Sequence, residues 1–182
     1  IIEDHPKRCK IEILSFELIP APNYEIHLAI APTKSLDRIE WLVEKVTEIG
    51  VTELTFIIGE HSERKEIKLE RIEKILVAAM KQSKRSYLPI LNPVVTVKEF
   101  LTKFHSGAIA HCDGGEKKQL SKVIRPKNYP ILIGPEGDFS KNEINLASEK
   151  GYDYISLGTN RLRTETAGLF ACVQAKLSLD II

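Results

Sequence analysis

Three short apolar runs each end in residues able to do chemistry. Ala108 to Ala110 leads into His111, Cys112 and Asp113; Tyr129 to Ile133 leads into Gly134-Pro-Glu-Gly-Asp138; Tyr154 to Leu157 leads into Gly158 and then Arg161-Leu-Arg-Thr-Glu165. A carboxylate close to two guanidinium groups, as Glu165 is to Arg161 and Arg163, can take or orient a proton while a cation steadies developing negative charge. The plainer possibility is that Arg163 and Glu165 pair with the ends of a helix. Glycine-bearing turns at strand ends offer backbone N–H and C=O groups to a purine and a small polar chain. Gly134 and Gly137 remove side chains where backbone must come close to something, and Pro135 fixes φ between them, so that loop is shaped. Glu136 is a second carboxylate, able to touch a ligand or to cap a turn, and ranks below Glu165. His111, at a strand end, reads as a loop or ligand-shell residue rather than a metal ligand.

Positioning such groups requires strands that end together, and the chain reads as an alternation of strands and helices. Ile26 to Ala31 is a first buried strand. A helix capped by Ser35 and closed by Gly50 follows, with Leu36, Ile39, Leu42, Val43, Val46 and Ile49 at helical spacing. Leu54 to Ile58 is the next strand, parallel to the first by strand, helix, strand logic. Lys68 to Arg85 reads as a long amphipathic helix whose last turn gathers Lys81, Lys84 and Arg85, either to suit the helix dipole or to face an anionic partner. Val97 to Phe104 is a short helix. Ser140 and Glu143 form a capping box before a helix from Lys141 to Lys150. The final helix, Thr164 to Asp180, is apolar almost all round, so it packs inside its own domain or lines a subunit interface. Residues 1–22 read as short strands with turns, Cys9 to Phe16 alternating, closed by Pro20-Ala-Pro22. An irregular arm is the alternative there.

Composition narrows the classes. The 182 residues carry 26 Lys plus Arg against 25 Asp plus Glu, so any contact with nucleic acid must rest on local clusters. Three scattered cysteines without a C-x-x-C and five dispersed histidines argue against a disulfide framework and a metal site, and point to a reducing cytoplasm. No apolar run reaches membrane-spanning length and no signal peptide is expected. There is no G-x-G-x-x-G after a strand, no phosphate-loop motif, no serine nucleophile elbow and no H-E-x-x-H.

Gly134-Pro-Glu-Gly137, followed by Leu157-Gly158 and Leu162-Arg-Thr-Glu-Thr-Ala167, resembles the RsmE-type ribosomal RNA uridine-N3 methyltransferases of the SPOUT superfamily. Glu44-Lys45 with Glu48-Ile-Gly-Val51, and Gln82-Ser-Lys-Arg85 with Leu88-Pro89, resemble that family's upstream motifs in the same order, so the likeness covers about residues 25 to 180. The resemblance implies an α/β knot fold: a parallel sheet flanked by helices, with a C-terminal trefoil knot. It implies two units, residues 1–22 as the tail of a β-rich, PUA-like RNA-binding domain plus linker and residues 23–182 as the methyltransferase domain. It further implies a homodimer that uses S-adenosyl-L-methionine, without metal, to methylate N3 of a uridine in small-subunit (16S) ribosomal RNA, free or in the small ribosomal subunit.

Carried over by motif, the cofactor contacts are Ala110, His111, Ile133, Gly134, Gly137, Leu157, Gly158, Leu162, Arg163, Thr164 and Ala167. Glu165, Arg163 and Arg161 are the expected catalytic group. Glu serves as base or base-orienter, and Arg steadies the uracil anion or a phosphate. Two positions depart from the family pattern. Asp138 stands where many relatives have a second glycine, and Asn160-Arg161 where many have arginine followed by an aliphatic residue, which leaves open which of Arg161 and Arg163 faces RNA. The rival functions are a SPOUT enzyme for another base or for ribose, and a non-catalytic ribosome-assembly module.

Overall fold

A computed structural model describes residues 1–180. The chain begins with an antiparallel hairpin of β1 (Glu3–His5) and β2 (Arg8–Lys10). There follow β3 (His27–Ile30), α1 (Leu36–Ile49), β4 (Glu53–Ile58), α2 (Leu69–Gln82), β5 (Ile90–Leu91), β6 (Val95–Thr96) and α3 (Val97–Lys103). The second half comprises β7 (Gly107–Ala110), β8 (Lys118–Gln119), α4 (Leu120–Val123), β9 (Ile131–Ile133), α5 (Lys141–Glu149), β10 (Tyr152–Ser156) and α6 (Thr164–Leu179). Strands pair in parallel in the order β5-β4-β3-β9-β7-β10-β8, and β6 also pairs with β4.

The central strands read as unbroken apolar runs because both faces are covered. Successive residues alternate between two cores. Leu28, Ile30, Leu54, Phe56, Ile131 and Ile133 pack with side chains of α1, α2, α4 and α6. Ala29, Ile57, Ile109 and Leu132 pack with α3 and α5 through Phe100, Leu101, Ile144 and Ala147. Helix α6 packs tightly at Gly168, where an added Cβ would stand 2.7 Å from Ile30 Cδ1 of the sheet and 3.3 Å from Leu42 Cδ2 of α1. Its apolar circumference is thus largely spent on its own domain, although Phe170 and Leu177 stay exposed.

Several expectations are corrected. Strand pairing at the N-terminus stops at Lys10, and among the described residues no strand neighbours the alternating residues beyond it, so Ile11, Ile13, Leu14, Phe16 and Leu18 are exposed. Ser35 holds the N-cap position without a side-chain cap, its carbonyl instead accepting the Thr33 hydroxyl at 2.7 Å, and Leu36 is exposed. Helix α2 ends at Gln82: the Ser83 hydroxyl donates to the Ala79 carbonyl at 2.7 Å, and Lys84 turns to φ +55°. Only Lys81 is therefore in the last turn, and the Arg85 guanidinium folds back toward Gly50. The Ser140–Glu143 capping box is present, and a second, unforeseen one joins Thr96 and Glu99. No helix among the described residues is long and apolar enough to cross a membrane.

Candidate active site

Because β7, β9 and β10 run parallel in adjacent positions, with Ala110 opposite both Ile133 and Ile155, their C-terminal ends open on one edge of the sheet. The loops that leave them enclose a cleft of about 360 Å³. Ligands of open α/β sheets bind at this edge. Ala110, His111, Ile133, Gly134, Leu157, Gly158, Leu162, Thr164 and Ala167 all line it, together with Arg161. Its floor is apolar. Its mouth carries both signs of charge, with Lys117 and Arg161 against Glu136 and Asp138.

Each wall is built locally. At Gly134 an added Cβ would stand 2.9 Å from the Phe139 ring and 3.2 Å from the Phe139 nitrogen, so the turn closes only without a side chain. The Gly134 carbonyl accepts the Thr164 hydroxyl at 3.1 Å, fastening the start of α6 beneath that turn. From Thr159 to Leu162 the main chain makes no hydrogen bond to other backbone among the described residues, leaving its polar groups available to a ligand.

His111 is the group with the clearest unmet demand. Its ring is buried, meets Tyr154 edge-on at 4.6 Å between centroids, and neither nitrogen has a hydrogen-bond partner. Burial lowers the pKa of the imidazole, the Lys117 charge pushes the same way, and the carboxylates of Asp138 and Asp113 oppose them. A buried neutral imidazole offers one donor and one acceptor, and leaving them unsatisfied is costly. The ring lines the cleft, but neither nitrogen is open to solvent, so a polar ligand there would reach them only with a small shift of the wall.

Two of the expected cofactor residues lie off the cleft. Gly137 faces His61, whose Nδ1 is 3.1 Å from the Gly137 carbonyl. Arg163 is the exposed N-cap of α6, with no side-chain capping bond. Of the expected catalytic group only Arg161 lines the cleft. Glu165 is buried in the first turn of α6, with Oε1 3.7 Å from Nε of Arg38 on α1, so its ion-pair partner is on another helix rather than the neighbouring arginines. Glu136 both borders the cleft and accepts the Lys34 N–H at 3.0 Å, closing the turn after β3. Arg38 and Lys117 went unnoticed in the sequence because nothing local distinguishes them from other surface cations. Asp138 was visible as a departure from glycine; its φ of +65° is the conformation that favours glycine there. Among the described residues no group of three or more His, Cys, Asp or Glu is placed to hold a metal ion.

Residues 20–176 match the family described as RNA methyltransferase domain. The Ribosomal RNA small subunit methyltransferase E of Rickettsia conorii is 30% identical over 164 residues, covering 87% of this chain and 66% of that protein. A solved structure of a probable rRNA-methyltransferase from Porphyromonas gingivalis is 41% identical with a TM-score of 0.78, covering 87% of this chain and 72% of the other. The Ribosomal RNA small subunit methyltransferase E from Neisseria gonorrhoeae, solved bound to S-adenosyl methionine, is 27% identical with a TM-score of 0.72, covering 82% of this chain and 65% of the other. The chain spans about two thirds of the length of the curated relatives it matches, at 66%, 66% and 68%.

Proposed function

The chain belongs to the RNA methyltransferase domain family, and from that membership we propose that it transfers a methyl group from S-adenosyl-L-methionine to N3 of a uridine in small-subunit ribosomal RNA. The observation that carries the reading is the cleft at the ends of β7, β9 and β10, with the buried, unpartnered ring of His111 in its wall. Its chemistry fits such a cofactor. Ile133, Leu157, Leu162 and Ala167 supply apolar surface for a purine, the open main chain of Thr159 to Leu162 supplies hydrogen-bonding groups, and the ring of His111 forms part of the wall. Arg163 and Gly137 support the site from outside it, the first by holding the start of α6 and the second by seating the turn on His61.

When bound, the cofactor supplies an electrophilic methyl on a sulfonium that departs as a neutral thioether. The protein has to hold the uracil edge-on to that methyl, let the N3 proton pass to solvent water at the cleft mouth, and steady the negative charge left on the ring. Orientation of this kind is worth about 7 to 11 kcal/mol of barrier. Arg161, exposed at the cleft mouth, is placed to steady the anion, and Arg163 to meet a phosphate beside it. Glu165 acts as an orienter. Its carboxylate holds Arg38, whose side chain is 43% exposed and can present its remaining N–H groups to the acceptor. Arg161→Ala and Glu165→Gln should therefore lose methyl transfer far more than cofactor binding. Calorimetric titration with S-adenosylmethionine, alongside a methyl-transfer assay on small subunits with mass mapping of the product, tests this. A wild-type chain that binds no cofactor would refute the reading, and a methyl on another atom would move it to another RNA methyltransferase.

Three further parts complete the proposal. The C-terminal segment is read as a trefoil knot, supported by the Thr164–Gly134 bond and by α6 lying against α1 and α4 as well as β3 and β9. The protein is read as cytoplasmic because its proposed substrate is ribosomal RNA, and as a homodimer, which Trp41 on α1 and Phe170 and Leu177 on α6 support by standing exposed; light scattering of the wild type against Phe170→Glu tests the dimer. Residues 1–22 are read as part of a β-rich RNA-gripping unit and its linker, and residues 23–182 as the methyltransferase unit, supported by the β1–β2 hairpin and the exposed apolar side chains after it.

A further inference from the structure

One wall of the cleft is tied in place by a single carboxylate. From Cys112 to Glu116 the chain is exposed, and a Cβ added at Gly114 or Gly115 would meet nothing within 4 Å. The hydrogen bonds of this stretch are mostly its own, with the Gly114 N–H donating to Asp113 Oδ1 and the Lys117 ammonium to the Asp113 carbonyl. One leaves it: among the described residues, the Cys112 N–H donates to Asp138 Oδ2 at 2.6 Å.

Asp138 is built into the opposite wall from every side. Its Oδ1 accepts the Phe139 N–H at 2.8 Å, its own N–H donates to the Pro135 carbonyl at 2.9 Å, and its carbonyl lies 3.1 Å from His61 Nδ1. It holds φ at +65°, a conformation that glycine adopts without penalty and that Asp and Asn adopt at a modest one. The carboxylate therefore does something that offsets a backbone cost. Both its oxygens accept backbone N–H groups, one from each wall, and such charge-assisted bonds are about twice as strong as neutral ones.

We infer that Asp138 is a positioning residue for the cofactor cleft: its carboxylate clips the His111–Glu116 segment to the Gly134–Phe139 turn and fixes the cleft's width on the side where His111 presents its ring. This rests on the cleft being the S-adenosylmethionine site. Asp138 acts through the chain segments it joins. Asn at this position also tolerates positive φ but brings only one oxygen to two donors, and Gly relieves the backbone while removing the clip altogether.

The test uses the whole chain as wild type, Asp138→Gly and Asp138→Asn, with three readouts: amide exchange over residues 112–116 without ligand, calorimetric affinity for S-adenosylmethionine, and the melting temperature of the free protein. The expected result is faster exchange in both variants and cofactor binding weaker on the order of tenfold in the glycine variant, about 1.4 kcal/mol, with asparagine between. The free glycine variant should melt within a degree or two of wild type, which a merely structural role would not allow alongside the affinity loss. Wild-type exchange in the glycine variant would overturn the clip, and faster exchange with unchanged affinity would overturn its role in positioning. If the glycine variant fails to fold, the asparagine variant is judged by the same criteria. Failure of the wild type to bind cofactor would refute the functional reading instead, while the exchange arm would still judge the clip.

Discussion

Replacing His111 by phenylalanine should stabilise the free protein while weakening cofactor binding. The imidazole is 8% exposed and neither ring nitrogen is bonded, so folding removes a donor and an acceptor from water with no return. A buried unsatisfied polar group costs about 1 to 3 kcal/mol. Taken at the lower end of that range, the cost is about 1 kcal/mol. Phenylalanine keeps the edge-on contact with Tyr154 and has the cleft to expand into. For a chain of this size about 1 kcal/mol corresponds to roughly 2–4 °C in melting temperature. The assay is thermal unfolding of His111→Phe and wild type, each with and without saturating S-adenosylmethionine. The variant should melt higher alone and gain less from the ligand. A variant that melts lower alone, or gains as much from the cofactor as wild type does, would refute the idea that His111 is held unsatisfied for a ligand.

Acid should destabilise the fold through a different histidine. His27 sits beneath Phe100 and Phe104 with Nε2 2.8 Å from the Thr55 hydroxyl, and burial, with help from Lys103, pushes its pKa from 6.5 down to about 4. The stabilising contribution is whole above pH 6.5 and is lost as pH falls toward 4, because the unfolded chain takes up the proton first. Its ceiling is about 3 kcal/mol, and the urea midpoint of wild type should fall across that window more steeply than that of His27→Gln. Gly168→Val should cost upward of about 2 kcal/mol through overpacking against Ile30 and Leu42, read as a lower denaturation midpoint. Ser140→Ala removes the hydroxyl that accepts the Glu143 N–H, and should cost about 1 kcal/mol in the same measurement.

The order of strands and helices was legible because the apolar runs are short and bounded and the helical spacings are clean, as in Leu42, Val43 and Val46. The cleft was legible for a related reason: parallel strands must end together, so glycine turns after Ala110, Ile133 and Leu157 had to meet. What escaped the sequence depends on partners distant in the chain. Glu165 looked like the partner of Arg163 because they are neighbours, yet a helix start turns adjacent side chains apart and brings Arg38 of another helix within 3.7 Å. The strand expected from Cys9 to Phe16 failed for want of a neighbour, since alternation records a preference for a sheet and cannot supply the sheet. Gly137 was read as a place of close approach, and the group that approaches it is His61, 76 residues away in the chain.

The position of β9 bears on how the molecule is made. It lies between β3 and β7, and both of those leave the ribosome before it does. A growing chain that has reached Asn128 therefore holds one part-sheet, whose edge at β3 is unpaired, and apart from it β7, whose partners β9 and β10 are both still to come. Exposed edges of this kind are templates for wrong pairing. Synthesis of a few more residues, Ile131 to Ile133, links β7 to that sheet, and the turn at Gly134 to which Thr164 binds exists only from then on. Nascent chains stalled just short of β9 should thus recruit chaperones and aggregate on release, whereas release after α6 should yield native protein.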